Sequence, residues 1–188
     1  MEDVFDVLAE DHEEIRQALA ELEKGPTAAT GATEDQLMLR KIMTEELITE
    51  TGKHEEIELT CLWQAVREHV PGGERLADRV ICAELQIVTL LAELDKLDVR
   101  APEFEQLLSA FTQASREHFD FEERHVWPRL RAAFGSGAFG SGALAAKAIG
   151  ELGRKVILAR QSAPVLPFPR ASARSQWPGE SAHHGSFG

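Results

Sequence analysis

The 188-residue sequence has no tyrosine, only two cysteines, and no apolar run near the length of a bilayer crossing. A membrane helix takes about 20 consecutive apolar residues, so no membrane association is expected. Cys61 and Cys82 stand alone, without a CxxC pair or a finger spacing. That argues against a disulfide framework and fits a reducing compartment. No segment alternates apolar and polar residues with period two, so no sheet is expected. The N-terminal stretch MEDVFDVLAEDHEE is acidic and has no apolar stretch of the kind a secretion signal carries, which points to the cytoplasm. Positive charge is scarce as well: 20 Lys and Arg face 32 Asp and Glu, for a net charge of −12. Such a surface repels a phosphate backbone, so nucleic acid is not an expected partner. Most of the carboxylates are read as serving solubility.

Hydrophobic residues make up 43% of the chain, enough for a real core, and they recur with helical period. A first helix is expected from Val4 to Lys24, ended by Gly25-Pro26. Thr33 and Gln36 form a capping-box pattern opening a second helix, which runs to His69 before the turn Val70-Pro71-Gly72-Gly73. A third spans Glu74 to Leu97. The fourth starts at Pro102, a favoured first helical position, and reaches Phe134, with Pro128 expected to kink it. Long amphipathic helices joined by short connections predict an all-α, up-down-up-down four-helix bundle over residues 1–134. A Gly/Ser linker follows at 135–142 (GSGAFGSG from Gly135), then an amphipathic helix at 143–160 with Leu144, Ile149, Leu152 and Val156 on one face. A disordered tail is expected over 161–188. Residues 143–188 carry six Lys/Arg and two Asp/Glu, so the positive charge gathers there.

Two segments repeat. His54, Glu58 and Trp63 recur as His118, Glu122 and Trp127, each at an offset of 64 residues, and the chain has only three tryptophans. The first and third helices repeat too: IRQALAEL from Ile15 aligns on IVTLLAEL from Ile87, which sets His12 against Glu84. A helical hairpin duplicated within one domain accounts for both. Residues i and i+4 share a helix face about 6 Å apart, so each His-x3-Glu can reach one metal pair from one side. Imidazole mixed with carboxylate suits iron. Distances from the turns bring Glu58 and Glu84 to similar heights, and put Glu84 between His118 and Glu122. His12 fits less well, because it is nearer its turn than His54 is; residues after Thr33 must then bend or start late.

On these residues the chain resembles the hemerythrin-like, or HHE cation-binding, family. Asp11-His12, His54-x3-Glu58 and His118-x3-Glu122-Glu123 through Trp127-Pro128 carry the resemblance, over roughly residues 4–132. It implies a four-helix bundle holding two iron ions, oxo- or hydroxo-bridged. His12, His54 and His118 would be terminal ligands, and Glu58 and Glu122 bridging ones. The ligand implied is O2, H2O2 or NO. The sequence departs from the family at Glu84, where a third-helix histidine is usual. Glu84 is either a third carboxylate ligand or a hydrogen-bonded structural acid. As a ligand it would make the site more anionic and favour peroxide chemistry over oxygen carriage. A catalase- or peroxidase-like activity is left open, beside a non-catalytic sensor or interaction module using the C-terminal helix as protein contact. A monomer and a homodimer are equally compatible.

His125 lies three residues past Glu122 and seven past His118, and is expected as a further ligand or an outer hydrogen-bond donor. Trp63 and Trp127 are expected to shield the core. Glu55, Glu56, Glu117 and Glu123 read as solvated helix faces, His69 as surface, and Cys61 as packing unless it has a redox role.

Overall fold

The structure, a computed structural model, describes residues 3–135 and 143–162. The linker residues 136–142 and the tail from 163 onward lie outside the described residues. Helix α1 spans Val4–Lys24 and is capped by Asp3, whose carboxylate accepts from the Phe5 N–H at 3.0 Å. Helix α2 covers Glu34–Ile57 and α3 covers Trp63–His69. The π-helical turn Glu58–Leu62 joins them into one rod. Helix α4 is Gly73–Leu94, and α5 (Pro102–Phe121) continues through a second π-helical turn, Glu122–Val126, into α6 (Trp127–Gly135). Helix α7 spans Ala143–Ser162. Among the described residues there is no strand.

The expected capping box at α2 is present: Gln36 N–H donates to Thr33 Oγ1 at 3.3 Å, and Thr33 N–H to Gln36 Oε1 at 2.8 Å. At the other end of α3, Gly72 takes φ +73°, a conformation L side chains rarely adopt, and a Cβ on Gly73 would meet Val66 O at 2.0 Å. The turn therefore needs both glycines. Helix α4 ends three residues before the expected Leu97. Past Leu94 the bonding tightens, with Lys96 and Leu97 N–H groups donating to the carbonyls of Glu93 and Leu94.

The helices close a square: α1 packs on α2 and α5, and α4 packs on α5, α3 and α2. The height mismatch between α1 and α2 is absorbed by an overhang. Arg40 Nη1 donates to Leu22 O at 2.7 Å, which sets the end of α1 beside Arg40. The turns of α2 before Arg40 extend past α1, and the segment 25–33, with its 3-10 turn Ala28–Thr30, climbs alongside them. The Arg40 guanidinium also pairs with Glu105 at 2.6 Å, so this buried cation is matched.

Two apolar clusters fill the bundle. One gathers Leu8, Leu62, Trp63, Val66, Val80, Val126 and Leu130 near one end; the other gathers Leu19, Leu22, Leu47, Ile87, Leu94, Phe104 and Phe111 near the other. Each fully buried Leu or Phe contributes about 1.5–3 kcal/mol. Helix α7 lays Leu152 and Val156 into the first cluster, against α1, α2, α6 and the first π turn. Its apolar face is thus covered by the bundle itself.

Pro128 does not break the fourth rod. It is the second residue of α6, where the preceding turn already bonds i to i−5: Trp127 N–H donates to Glu122 O. The matching turn in the second rod bonds Trp63 N–H to Glu58 O, and there Gln64 stands where the proline would be. The widened turn is therefore common to both repeats and not imposed by proline.

Candidate metal centre

A polar layer separates the two apolar clusters. In α1 it is Asp11 and His12, between Leu8 and Ile15. In the second rod it is Thr51, His54, Glu55 and Glu58, in α4 it is Glu84, and in the fourth rod Ser115, His118 and Glu122. His12, Thr51, Glu58, Ser115 and Glu122 are wholly buried, and the rest of the layer nearly so.

The π turns aim this layer. In an α-helix, position i+5 lies roughly 140° round from i, whereas a π turn closes in about five residues. Each turn starts at the second residue of a His-x3-Glu pair, Glu58 or Glu122. It swings Trp63 and Trp127 to the same side as those carboxylates. Trp63 donates its indole N–H to Glu84 Oε1, and Trp127 stacks on the His12 ring at 5.0 Å between centroids. Phe119 covers another side of His12 at 4.1 Å. The tryptophans therefore touch the polar layer itself rather than only screening it.

Two groups of side chains converge. His12, His54, Glu58 and Glu122 form one; Glu55, Glu58, Glu84 and His118 form the other, and in each the four candidate ligand atoms lie within 4.8 Å of one another. Metal–ligand bonds of about 2.0–2.2 Å allow ligand atoms up to about 4.4 Å apart, so each group has nearly the size of a coordination shell. The Nε2 atoms of His12 and His54 face each other at 3.0 Å. Glu122 sets Oε2 3.3 Å from His12 Nε2 and Oε1 3.1 Å from His118 Nε2. Glu58 sets Oε1 3.6 Å from His54 Nε2 and Oε2 3.9 Å from His118 Nε2.

The electrostatics fit a cation. Both oxygens of Glu55, Glu58 and Glu122, and Nε2 of His118, are buried without a hydrogen-bond partner. Among the described residues no Lys or Arg pairs with Glu55, Glu58, Glu84 or Glu122. Burying ionised groups unpaired is costly. Burial first, and then the neighbouring acids, push the Glu55, Glu58 and Glu122 carboxyls well above the usual range. Burial raises Glu84 to about 7, partly offset by the Trp63 N–H. Burial, with the other imidazoles adding to it, lowers His118 to about 3. His12 falls to about 4 by burial, opposed by its bond to Glu123. Neutral imidazoles and acids crowded beside one another are the donor set a metal ion would engage by displacing carboxyl protons.

Outer contacts hold the imidazoles. His12 Nδ1 donates to Glu123 Oε1 at 2.8 Å, and Arg16 Nη1 reaches the same oxygen at 2.8 Å. The His12 hydrogen bond, aided by Arg16, lowers Glu123 to about 2. Asp11 Oδ2 lies 3.6 Å from His54 Nδ1.

Six expected residues, His12, His54, Glu58, Glu84, His118 and Glu122, come together in these groups. His125 does not. It is exposed, tilted against Phe121 at 5.1 Å between centroids. The π turn that begins at Glu122 rotates position 125 off the face that regular helical spacing would give it. Cys61, at the matching place in the other turn, is half-buried. Glu55, expected on a solvated face, is instead 3% exposed and belongs to the second group. Its repeat counterpart is Phe119, a buried residue, and that was the available signal that position 55 faces inward. Glu123, also expected in solvent, is the half-buried acceptor for His12.

An antiparallel helical bundle carrying a buried layer of paired imidazoles and carboxylates defines a metal-binding four-helix protein. The chain belongs to the hemerythrin HHE cation-binding domain family, whose model matches residues 3–135. No curated protein and no solved structure matches it.

Proposed function

We propose that this chain is a non-haem di-iron protein that binds or reacts with O2, hydrogen peroxide or NO. One observation carries the reading: Glu58 and Glu122 each turn one oxygen toward an imidazole of the first group and the other toward His118. Two carboxylates so disposed can each bridge a pair of ions, with His12 and His54 on one and His118, Glu55 and Glu84 on the other. Iron bound there would supply a redox centre for the chemistry of a small diatomic or peroxide ligand.

The chain's own residues bind, orient and exclude water. The apolar clusters above and below keep the layer dry, Trp63 fixes Glu84, and Glu123 fixes His12 through Nδ1. Four carboxylates against three imidazoles make an anionic donor set that stabilises the ferric state. That favours peroxide turnover, 2 H2O2 giving O2 and 2 H2O, over reversible oxygen carriage. The test is elemental analysis and a visible spectrum of protein expressed with iron, followed by a peroxide assay. About two irons per chain, oxo-to-iron charge-transfer absorption and one O2 per two peroxides consumed are expected. Failure to take up iron after anaerobic reconstitution overturns the reading.

A second reading, a non-catalytic sensor of oxygen, iron or redox state, is favoured by one contact. Arg160 of α7 reaches Asp11 at 2.7 Å, so a helix beyond the bundle touches the surroundings of His54. Any protein partner docking on α7 would meet its outward face, since Leu152 and Val156 are buried.

A further inference from the structure

Each imidazole of the first metal group faces a carboxylate that an arginine holds, the two pairs being drawn from different places and only the one at His12 closing a hydrogen bond. For His12 the chain of contacts is Arg16 to Glu123 at 2.8 Å and Glu123 to His12 Nδ1 at 2.8 Å, all within the bundle. For His54 it is Arg160 Nη2 to Asp11 Oδ1 at 2.7 Å and Asp11 Oδ2 to His54 Nδ1 at 3.6 Å. Here the arginine comes from α7, outside the segment that the family model matches.

We propose that α7 is a positioning arm for the metal centre: Arg160 holds Asp11 against His54 Nδ1 and so sets how firmly the ion of the His12/His54 group is retained. The inference rests on the di-iron reading above and adds a control element to it.

Five observations carry the proposal. His54 Nδ1 is buried and has no hydrogen-bond partner. When Nε2 ligates a cation, Nδ1 carries the ring proton and needs an acceptor, and an acceptor there fixes both tautomer and ring plane. Asp11 is the carboxylate beside it, 8% exposed and ion-paired to Arg160. Arg160 sits one turn beyond Val156, which is wholly buried in the apolar cluster, so seating α7 delivers the guanidinium. Arg160 also approaches Glu14 Oε2 at 3.7 Å, a second tie from α7 to α1. The Asp11–His54 gap is wider than the Glu123–His12 bond, so His54 is the imidazole with slack to take up. Because coupling is reciprocal, occupancy of the centre must in turn tighten the seating of α7.

The full chain, loaded anaerobically with iron(II) and challenged with excess chelator, tests this. Arg160→Ala is expected to release one of its two irons about tenfold faster than the wild type, in line with losses seen when outer-shell partners of metal ligands are removed. The other iron should leave at the wild-type rate. Arg160→Lys keeps a cation there and should recover most of the difference, while Asp11→Asn should reproduce the loss. The metal-free Arg160→Ala protein should melt somewhat lower, because Asp11 stays buried without its cation, so it is faster release of one iron and not the other that separates positioning from a general loss of packing. Amide exchange across residues 146–162 supplies a readout that needs no turnover. It should slow on iron loading in the wild type and respond less in Asp11→Asn. Equal release rates for both irons in Arg160→Ala and wild type, or α7 exchange indifferent to iron, overturn the proposal while leaving the di-iron reading standing. A wild-type chain that binds no iron removes both.

Discussion

Trp63 donates its indole N–H to Glu84 Oε1 across the packed faces of α3 and α4. The tryptophan is 1% exposed and the carboxylate 4%. The acid of α4 in the polar layer therefore has a donor of its own. Trp63→Phe keeps most of the ring volume and strands the carboxyl. It should destabilise the metal-free protein by about 1–3 kcal/mol, the range for leaving a buried polar group unsatisfied. Urea denaturation of the two proteins measures it.

Glu55 should behave in the opposite sense. Both its oxygens are buried without a partner, and burial pushes its carboxyl well above the usual range, so Glu55→Gln removes an acid that the metal-free fold buries only by taking up a proton. Roughly 1–2 kcal/mol of added stability is expected in the metal-free form. Iron content should drop below that of the wild type, because the second group loses a ligand. Elemental analysis and a melt of the same preparation report both effects.

His125→Ala should change neither iron content nor stability by more than about 0.5 kcal/mol, as for an ordinary surface substitution. A loss of iron in this variant would mean that the fourth rod turns more tightly after Glu122 than it does here.

The metal-free protein should lose stability as the pH rises from 6.5 to 8. Glu84 titrates near 7 in the fold against 4.5 ordinarily, and Glu55, Glu58 and Glu122 are displaced the same way. The folded chain then holds more protons than the unfolded one, so their contribution is complete below 4.5 and fades as the pH climbs through the raised values. Each carboxyl still protonated adds a slope of about 1.4 kcal/mol per pH unit. His12 and His118, lowered from 6.5 to about 4 and 3, act oppositely: they cost stability as the pH falls below 6.5 and are silent above it. Between 6.5 and 8 only the acids count. Iron loading should flatten the profile, since ligated carboxylates are ionised. Denaturation midpoints at several pH values, with and without iron, decide it.

The duplicated His-x3-Glu-x4-Trp made four of the converging residues legible, since an i, i+4 pair means the same thing in sequence and in a helix, and the alignment of IRQALAEL on IVTLLAEL added His12 and Glu84. Glu55 was not legible as chemistry, because its repeat partner is the apolar Phe119; only its burial was encoded. Nor did any residue type announce the π turns. One widened turn changes the meaning of every later spacing, which is why His125, inward by regular geometry, is outward in the fold. Asp11 and Arg160 meet only after α7 has packed, and no local pattern records that.

The polar layer is also a seam in the thermodynamics of the chain. Leu19 and Leu130 belong to apolar clusters on opposite sides of it, and truncations in the two should be nearly additive in the metal-free protein, as for distant sites without shared partners. Ions bound across all four rods would join the halves, so loading would convert two loosely communicating blocks into one cooperative unit, and losing the metal would let one end loosen while the other stays folded.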